Sequence, residues 1–342
     1  MTVRRLLRAF CIGIAALAPA HAFASGGDYR QVASIALGPP ERWDYVVADP
    51  GTARIYVAHG DRIAVLDARS GHIVGQVEGM PGGTHGIAIS APTGQGFTDD
   101  GEKGEAVAFG LKSLKVEHRI PAAADADGMV TDPRTGRLFV VDGDPGKLTV
   151  IDPRSDSVVA TIDVGAKMEY LAADRAGHVY VAGVEKSDVI VIDAASAQIT
   201  AHWQTPDCQR PHGVALDAAN GRLFMGCLNA KMMVLDTGSG RIVAELPIGH
   251  GNDSVAWDPL RRRVFSPNGR DGTISVFRQV TPDRYEALPT ITTMPGTRTM
   301  AVDPRSGKLF AVAADFDPAP SPGARPAIRP GSVRVLVFAP AS

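Results

Sequence analysis

At seven places in the chain an ionisable residue stands five positions before the end of a short apolar run: Asp44, His85, Asp127, Glu169, His212, Asp253 and Arg298. Successive members lie 41, 42, 42, 43, 41 and 45 residues apart. A position taken at random from a globular chain is charged about one time in four, so an ionisable group in all seven is a pattern. Four carboxylates against one guanidinium leave the set negative. Crowded carboxylates are costly unless a cation or protons join them. With two imidazoles added, the groups suit a divalent metal held by His85, His212, Glu169 and Asp127. The histidines favour zinc, manganese, iron or copper over calcium. An amine or polyhydroxy ligand would suit them equally. The sequence has no HExxH, CxxC or EF-hand loop, so no cofactor is assigned and a divalent metal is only a candidate. A plainer reading stays open: such residues solvate the mouth of a water-filled channel and satisfy one another there.

A repeat must bring the seven together. The segments "DYVVADP", "DGMVTDP", "EYLAADR", "HGVALDA", "DSVAWDP" and "RTMAVDP" end their runs on Asp49, Asp132, Asp174, Asp217, Asp258 and Asp303, while "HGIAISA" places Ser90 there. Each is followed by a turn and a second run, such as "RIYVAH" or "RLFVVD", then a third and a fourth, such as "KLTVIDP" and "SVVATIDVG". Val, Ile and Thr dominate, and turn residues interrupt every few positions, which excludes helix. A period just over 40 residues with four strands per copy predicts an all-β, seven-bladed β-propeller of four-stranded blades. The last copy stops at "SVRVLVFAP" with three strands, and "YRQVASIALG" precedes the first copy with no blade of its own. Residues 29–37 are therefore expected to complete blade seven, closing the ring and leaving no open sheet edge. Strand A lines the central channel, which puts the seven ionisable residues at its mouth.

The second strands "IYVAH" and "LFVVD", together with "VLDARSGHIVGQV" across strands three and four, resemble the YVTN-repeat β-propellers, in particular the exported bacterial YncE-like proteins. The resemblance covers essentially the whole chain after residue 24. It implies a periplasmic or surface propeller and assigns no reaction.

The first 24 residues have the form of a secretory signal peptide: basic "MTVRRLLR", apolar "AFCIGIAALA", and small-residue cleavage sites after Ala22 or Ala24. Residues 25–342 are expected to form one propeller domain, periplasmic or secreted and monomeric, with no membrane span. Loss of Arg4, Arg5 and Arg8 with the leader would lower Lys+Arg from 35 to 32 against 37 acids, moving the net charge from -2 to -5. That balance argues against general nucleic-acid binding. Of the three cysteines, Cys11 goes with the leader. Cys208 enters blade five and Cys227 ends its second strand, so antiparallel pairing brings them to one blade edge, and an oxidising compartment favours a disulfide. Two free thiols, or a metal site using both with His212, are the alternatives.

His59, Asp100, Asp142 and Asn268 end second strands and are either an outer shell to the ring or plain turn residues. The Pro-rich insertion "DFDPAPSPGARPAIRPG" (315–331) is either a lid bringing Arg325 and Arg329 to the ring or a solvated loop. The leading functional reading is a non-catalytic propeller binding a small ligand, a cation or a protein partner at this face. The alternative is a metal-dependent, lactonase-like hydrolase using the same ring, with His85, His212 and Glu169 as candidate catalytic groups. A haem or quinoprotein enzyme is excluded by the lack of CxxCH and by a tryptophan complement of only Trp43, Trp203 and Trp257.

Overall fold

The aspartate that ends each apolar run accepts hydrogen bonds from the turn that follows, and these turns set the repeat. Gly51 N donates to Asp49 Oδ1 at 2.8 Å, and Thr135 N to Asp132 Oδ2 at 2.7 Å. The same device closes the turn after strand C, where Ser70 N donates to Asp67 Oδ1 and Ser196 N to Asp193 Oδ1, both at 2.7 Å. A short acceptor that bonds its own backbone two or three residues on makes a tight turn without glycine at every position. A computed structural model describes residues 25–26, 28–321, 324 and 326–341. The expected leader, 1–24, lies outside the described residues.

The strands form seven antiparallel sheets in chain order. Blade one runs Val46–Asp49, Arg54–His59, Arg62–Asp67 and Ile73–Glu78 from the inside outward. The inner strands of blades two to seven begin at Ile87, Ala126, Met168, Pro211, Ala256 and Met300. In blade seven the order ends with Arg334–Pro340 paired antiparallel to Tyr29–Ala36, from Ala36 opposite Arg334 to Tyr29 opposite Pro340, with one register shift between Gln31 and Ala33. The N-terminal segment thus supplies the missing outer strand, and Leu37 N still reaches Val333 O at 2.9 Å. Ser25–Gly26 folds back on Tyr29–Arg30 as a short fifth strand that the repeat did not predict.

The core is divided among the blade interfaces. Ile55, Val57 and Leu66 of blade one pack on Phe310, Val312 and Val335 of blade seven, and Phe139 and Val150 of blade three pack on Val179 and Ile192 of blade four. The other neighbouring blades pair in the same way. Each strand face therefore buries against the next sheet, as flat sheets stacked around an axis require.

Close to the axis the blades must approach more tightly than side chains allow. The residue after each mouth residue is Gly86, Gly128, Gly213, Ser254 or Thr299 in five blades. A Cβ on Gly86 would come within 2.1 Å of Asp127 O, and one on Gly128 within 2.6 Å of Glu169 O. Where the residue is not glycine it bonds the same neighbouring carbonyl. Ser254 Oγ donates to Arg298 O at 3.4 Å, and Thr299 Oγ1 to Asp44 O at 2.7 Å. Four blades thus contact the backbone of the next blade's mouth residue, and Gly213 of blade five meets the backbone of Ser254, directly after one. No helix of the described residues is long and apolar enough to cross a membrane.

Candidate channel-mouth site

Tyr45 and Tyr170 hold the same place in blades one and four and reach across the channel, their ring centroids 4.3 Å apart. Each directly follows a mouth residue, Asp44 and Glu169. Burial raises the Tyr170 phenol to about 12, helped by Asp44 and Asp127, and pushes Tyr45 up as well, helped by Glu169 and Asp127.

Blades four, five and six converge. Glu169, His212 and Asp253 each offer one ligand atom, and these atoms lie within 4.8 Å of one another. His212 is oriented for this. Its Nδ1 lies 2.9 Å from the carbonyl of Arg210, so Nδ1 carries the proton and Nε2 presents a lone pair. Arg210 aims that carbonyl from a left-handed backbone conformation, φ 49°. A ligating histidine is commonly fixed by such a bond from its other nitrogen. Burial raises the Glu169 pKa against the lowering pull of His212, and Asp253 raises it further.

The sides toward blades seven and one are held by Arg298. Its Nε donates to Asp253 at 2.7 Å, its guanidinium lies 3.8 Å from Asp44, and it donates to Trp43 O at 3.1 Å while covering the Trp43 ring. Even so, burial pushes Asp44 up to about 7, with Arg298 opposing and Asp253 adding to the rise. Burial and the Asp44 and Glu169 charges raise Asp127 well above the carboxylate range. Asp127 Oδ1 is buried without a hydrogen-bond partner among the described residues.

His85 stands differently. Its Nδ1 is 2.6 Å from Asp99 Oδ2, and Asp99 Oδ1 also accepts from the backbone N–H groups of His85 and Gly86. On the other edge, Arg42 donates to Nε2 at 2.6 Å. Burial pulls the His85 pKa down, but the bond to Asp99 and the Asp99 and Asp44 charges outweigh it, and the net shift is upward. Of the four candidate metal ligands, then, Glu169 and His212 come together with Asp253 as third member. His85 has both nitrogens occupied, and Asp127 keeps an unpartnered oxygen.

Three of the four strand-end residues hold loops. Asp100 Oδ1 accepts from Gly82 N at 2.6 Å, Asp142 accepts from Thr149 Oγ1 at 2.8 Å, and the Asn268 amide bonds Thr273 and Ser275. His59 is buried, and its Nε2 has no partner among the described residues. Cys208 and Cys227 are bonded to each other, with Cα atoms 5.2 Å apart, so neither is a free thiolate. The insertion folds as a hairpin bridged at Phe316 and Ile328, and Phe316 packs edge-on against Trp43. Arg329 pairs with Asp317 of the hairpin itself, 2.9 Å away, and Arg325 lies outside the described residues.

The residues that sequence reading passed over are Asp99, Arg42, Tyr45 and Tyr170. Asp99 carried a signal. The corresponding residues of the other second strands are Ala58, Val141, Ala182, Gly226, Pro267 and Val312, none of them ionisable.

Fold and mouth together define a seven-bladed β-propeller, an architecture consistent with a binding or scaffold role. Among curated proteins the chain is similar to the uncharacterized protein YncE of Salmonella typhi and that of Salmonella typhimurium (strain LT2), each 23% identical over 188 residues. The match covers 53% of this chain and 52% of each relative, so the chain spans about half the length of the curated relatives it matches. This weak similarity and the seven blades agree with the YncE-like resemblance read from the repeats. No family model matches the chain. Among solved structures, the RRP9 WD40 repeats align with a TM-score of 0.75 at 14% identity, covering 93% of this chain and 100% of that one. U3-55K aligns at 0.71 and 14%, covering 92% and 98%. The hydrazine synthase of Kuenenia stuttgartiensis aligns at 0.67 and 12%, covering 78% and 91%. At these identities the likeness is one of fold.

Proposed function

We propose that this protein is an exported, non-catalytic propeller that binds a divalent cation, or a small ligand in its place, at the channel mouth. The observation that carries the reading is the convergence of Glu169, His212 and Asp253 within 4.8 Å. The Arg210 carbonyl leaves His212 Nε2 free to ligate. One imidazole and two carboxylates suit zinc or manganese over calcium, and the buried, unpartnered Asp127 Oδ1 offers a further acceptor. Export rests on the leader pattern of residues 1–24 and on the disulfide, which suits an oxidising compartment. Residues 25–342 then act as one monomeric domain. The hydrolase reading would need an open ligand position beside a poised base, and no specific observation favours it.

Zinc titration by calorimetry on chelator-treated protein tests the cation site. Wild type should take up one ion, His212→Ala should lose at least about tenfold in affinity, and His85→Ala should stay near wild type because His85 is committed to Asp99 and Arg42. Equal heats from wild type and His212→Ala, or no heat from wild type, would refute the cation site.

A further inference from the structure

Beside the mouth, between blades six and seven and the Pro-rich hairpin, lies a second feature that a cation does not explain. A cavity of about 580 Å³ opens there, walled by Phe316, Pro326 and Ile328 of the hairpin on one side and by Arg270, Asp253 and Arg298 on the other. The pocket is built by local sequence. Gly269 has no side chain because a Cβ would come within 2.9 Å of Arg298 Cβ, and Gly296, at φ +87°, leaves room for the Phe316 ring, which a Cβ would approach to 2.4 Å. Two loops thus give up side chains so that an aromatic ring and an arginine can flank one space.

The electrostatics are asymmetric. Arg298 is committed to Asp253 at 2.7 Å, so that pair is balanced within the wall. Arg270, a solvent-exposed residue of the cavity's lining, makes no ion pair or side-chain hydrogen bond among the described residues, which leaves its guanidinium available to a ligand in a cavity that Phe316, Pro326 and Ile328 also line. A guanidinium recognises a carboxylate through two parallel N–H···O bonds, and an apolar wall beside it favours a ligand whose carboxylate carries a compact hydrophobic body.

We propose that this cavity binds a small aromatic or branched monocarboxylate, its carboxylate on Arg270 and its apolar body against Phe316, Pro326 and Ile328. The site shares Asp253 with the cluster at the mouth but does not depend on a bound cation. It also gives the insertion, absent from the other six blades, a role as one wall of a ligand pocket.

The test is calorimetric titration of full-length mature protein with benzoate as the probe and benzamide as its neutral isostere, in chelator-containing buffer. Benzoate should bind one per chain with Kd about 1 mM or tighter, and benzamide at least about tenfold more weakly. Arg270→Gln should lower benzoate affinity about tenfold and bring it to the level of benzamide, while Phe316→Ala should weaken both probes alike. His212→Ala, which removes the cation site, should leave benzoate binding unchanged, so the failure of one site is distinguishable from that of the other. No saturable benzoate binding to wild type, or equal affinity of wild type and Arg270→Gln in proteins with the same melting temperature, would overturn the proposal.

Discussion

Replacing Cys208 and Cys227 together by alanine isolates the contribution of one covalent link to a fold otherwise closed by strand pairing. The cysteines are 19 residues apart, and the chain-entropy model assigns a loop of that length about 3 kcal/mol of stabilisation. For a domain of this size the unfolding entropy is about 0.6 kcal/mol per degree, so the melting temperature should fall by about 5 °C. The link also bears on the mouth. Cys208 anchors the loop that contains Arg210, whose carbonyl positions His212, so opening the loop should lower zinc affinity while leaving the fold intact. The assay is a calorimetric melt of wild type and variant with and without reductant. Reductant should bring wild type down to the variant and leave the variant unmoved. A variant that melts within a degree of oxidised wild type would refute the entropic reasoning.

Deleting residues 25–37 should cost about 5 kcal/mol or more, since Tyr29 alone is a fully buried aromatic. It should also produce oligomers in light scattering, because it exposes the Arg334–Pro340 edge; a monomeric variant with unchanged melting would contradict closure by the N-terminal strand. The mouth should make stability fall as pH rises. Asp44, with a folded pKa of about 7, and the raised Asp127, Glu169 and Asp99 bind protons in the fold that the unfolded chain has already released, so their stabilisation is full below about pH 4 and is lost through pH 7. His85, also raised, acts in the same direction near neutrality, while His59, lowered chiefly by burial, opposes it. Metal-free melts should therefore show higher stability at pH 5 than at pH 8, by on the order of 2 kcal/mol, and a rising trend instead would refute the arrangement.

The architecture was legible because the repeat is written in turn chemistry: an aspartate every forty-odd residues can end a strand in only a few ways, and seven aligned endings dictate seven blades. The orphan strand "YRQVASIALG" was legible for the same reason, since a blade with three strands leaves an edge that something must cover. One position ionisable in all copies pointed to a shared place on the inner strands. The internal grouping of those residues was not legible. Whether His85 would join His212 depended on Asp99 and Arg42, and only their positions in three dimensions place them on the two nitrogens of His85. Equally, nothing in the periodicity says that Tyr45 and Tyr170, from blades one and four, meet across the axis.

The separation of fold from site along each inner strand gives the mouth its character. Close backbone approach between blades at the axis is made by Gly86, Gly128, Gly213, Ser254 and Thr299, and Arg298 of blade seven adds ion pairs to Asp253 of blade six and Asp44 of blade one. Yet the mouth carries half-buried acids, and the pKa values of Asp44, Asp127 and Glu169 are driven upward, which is a cost to the folded state at neutral pH. Packing alone would be served as well by serine or asparagine at these places, without desolvating charge. Arg298 pairs with two of the four acids, Asp253 and Asp44, and on the proposed reading a bound cation would relieve the repulsion that remains. If the proposed cation site exists, zinc should raise the melting temperature of metal-free protein by mass action and His212→Ala should abolish that rise; a mouth that only solvates the channel would leave both proteins unmoved.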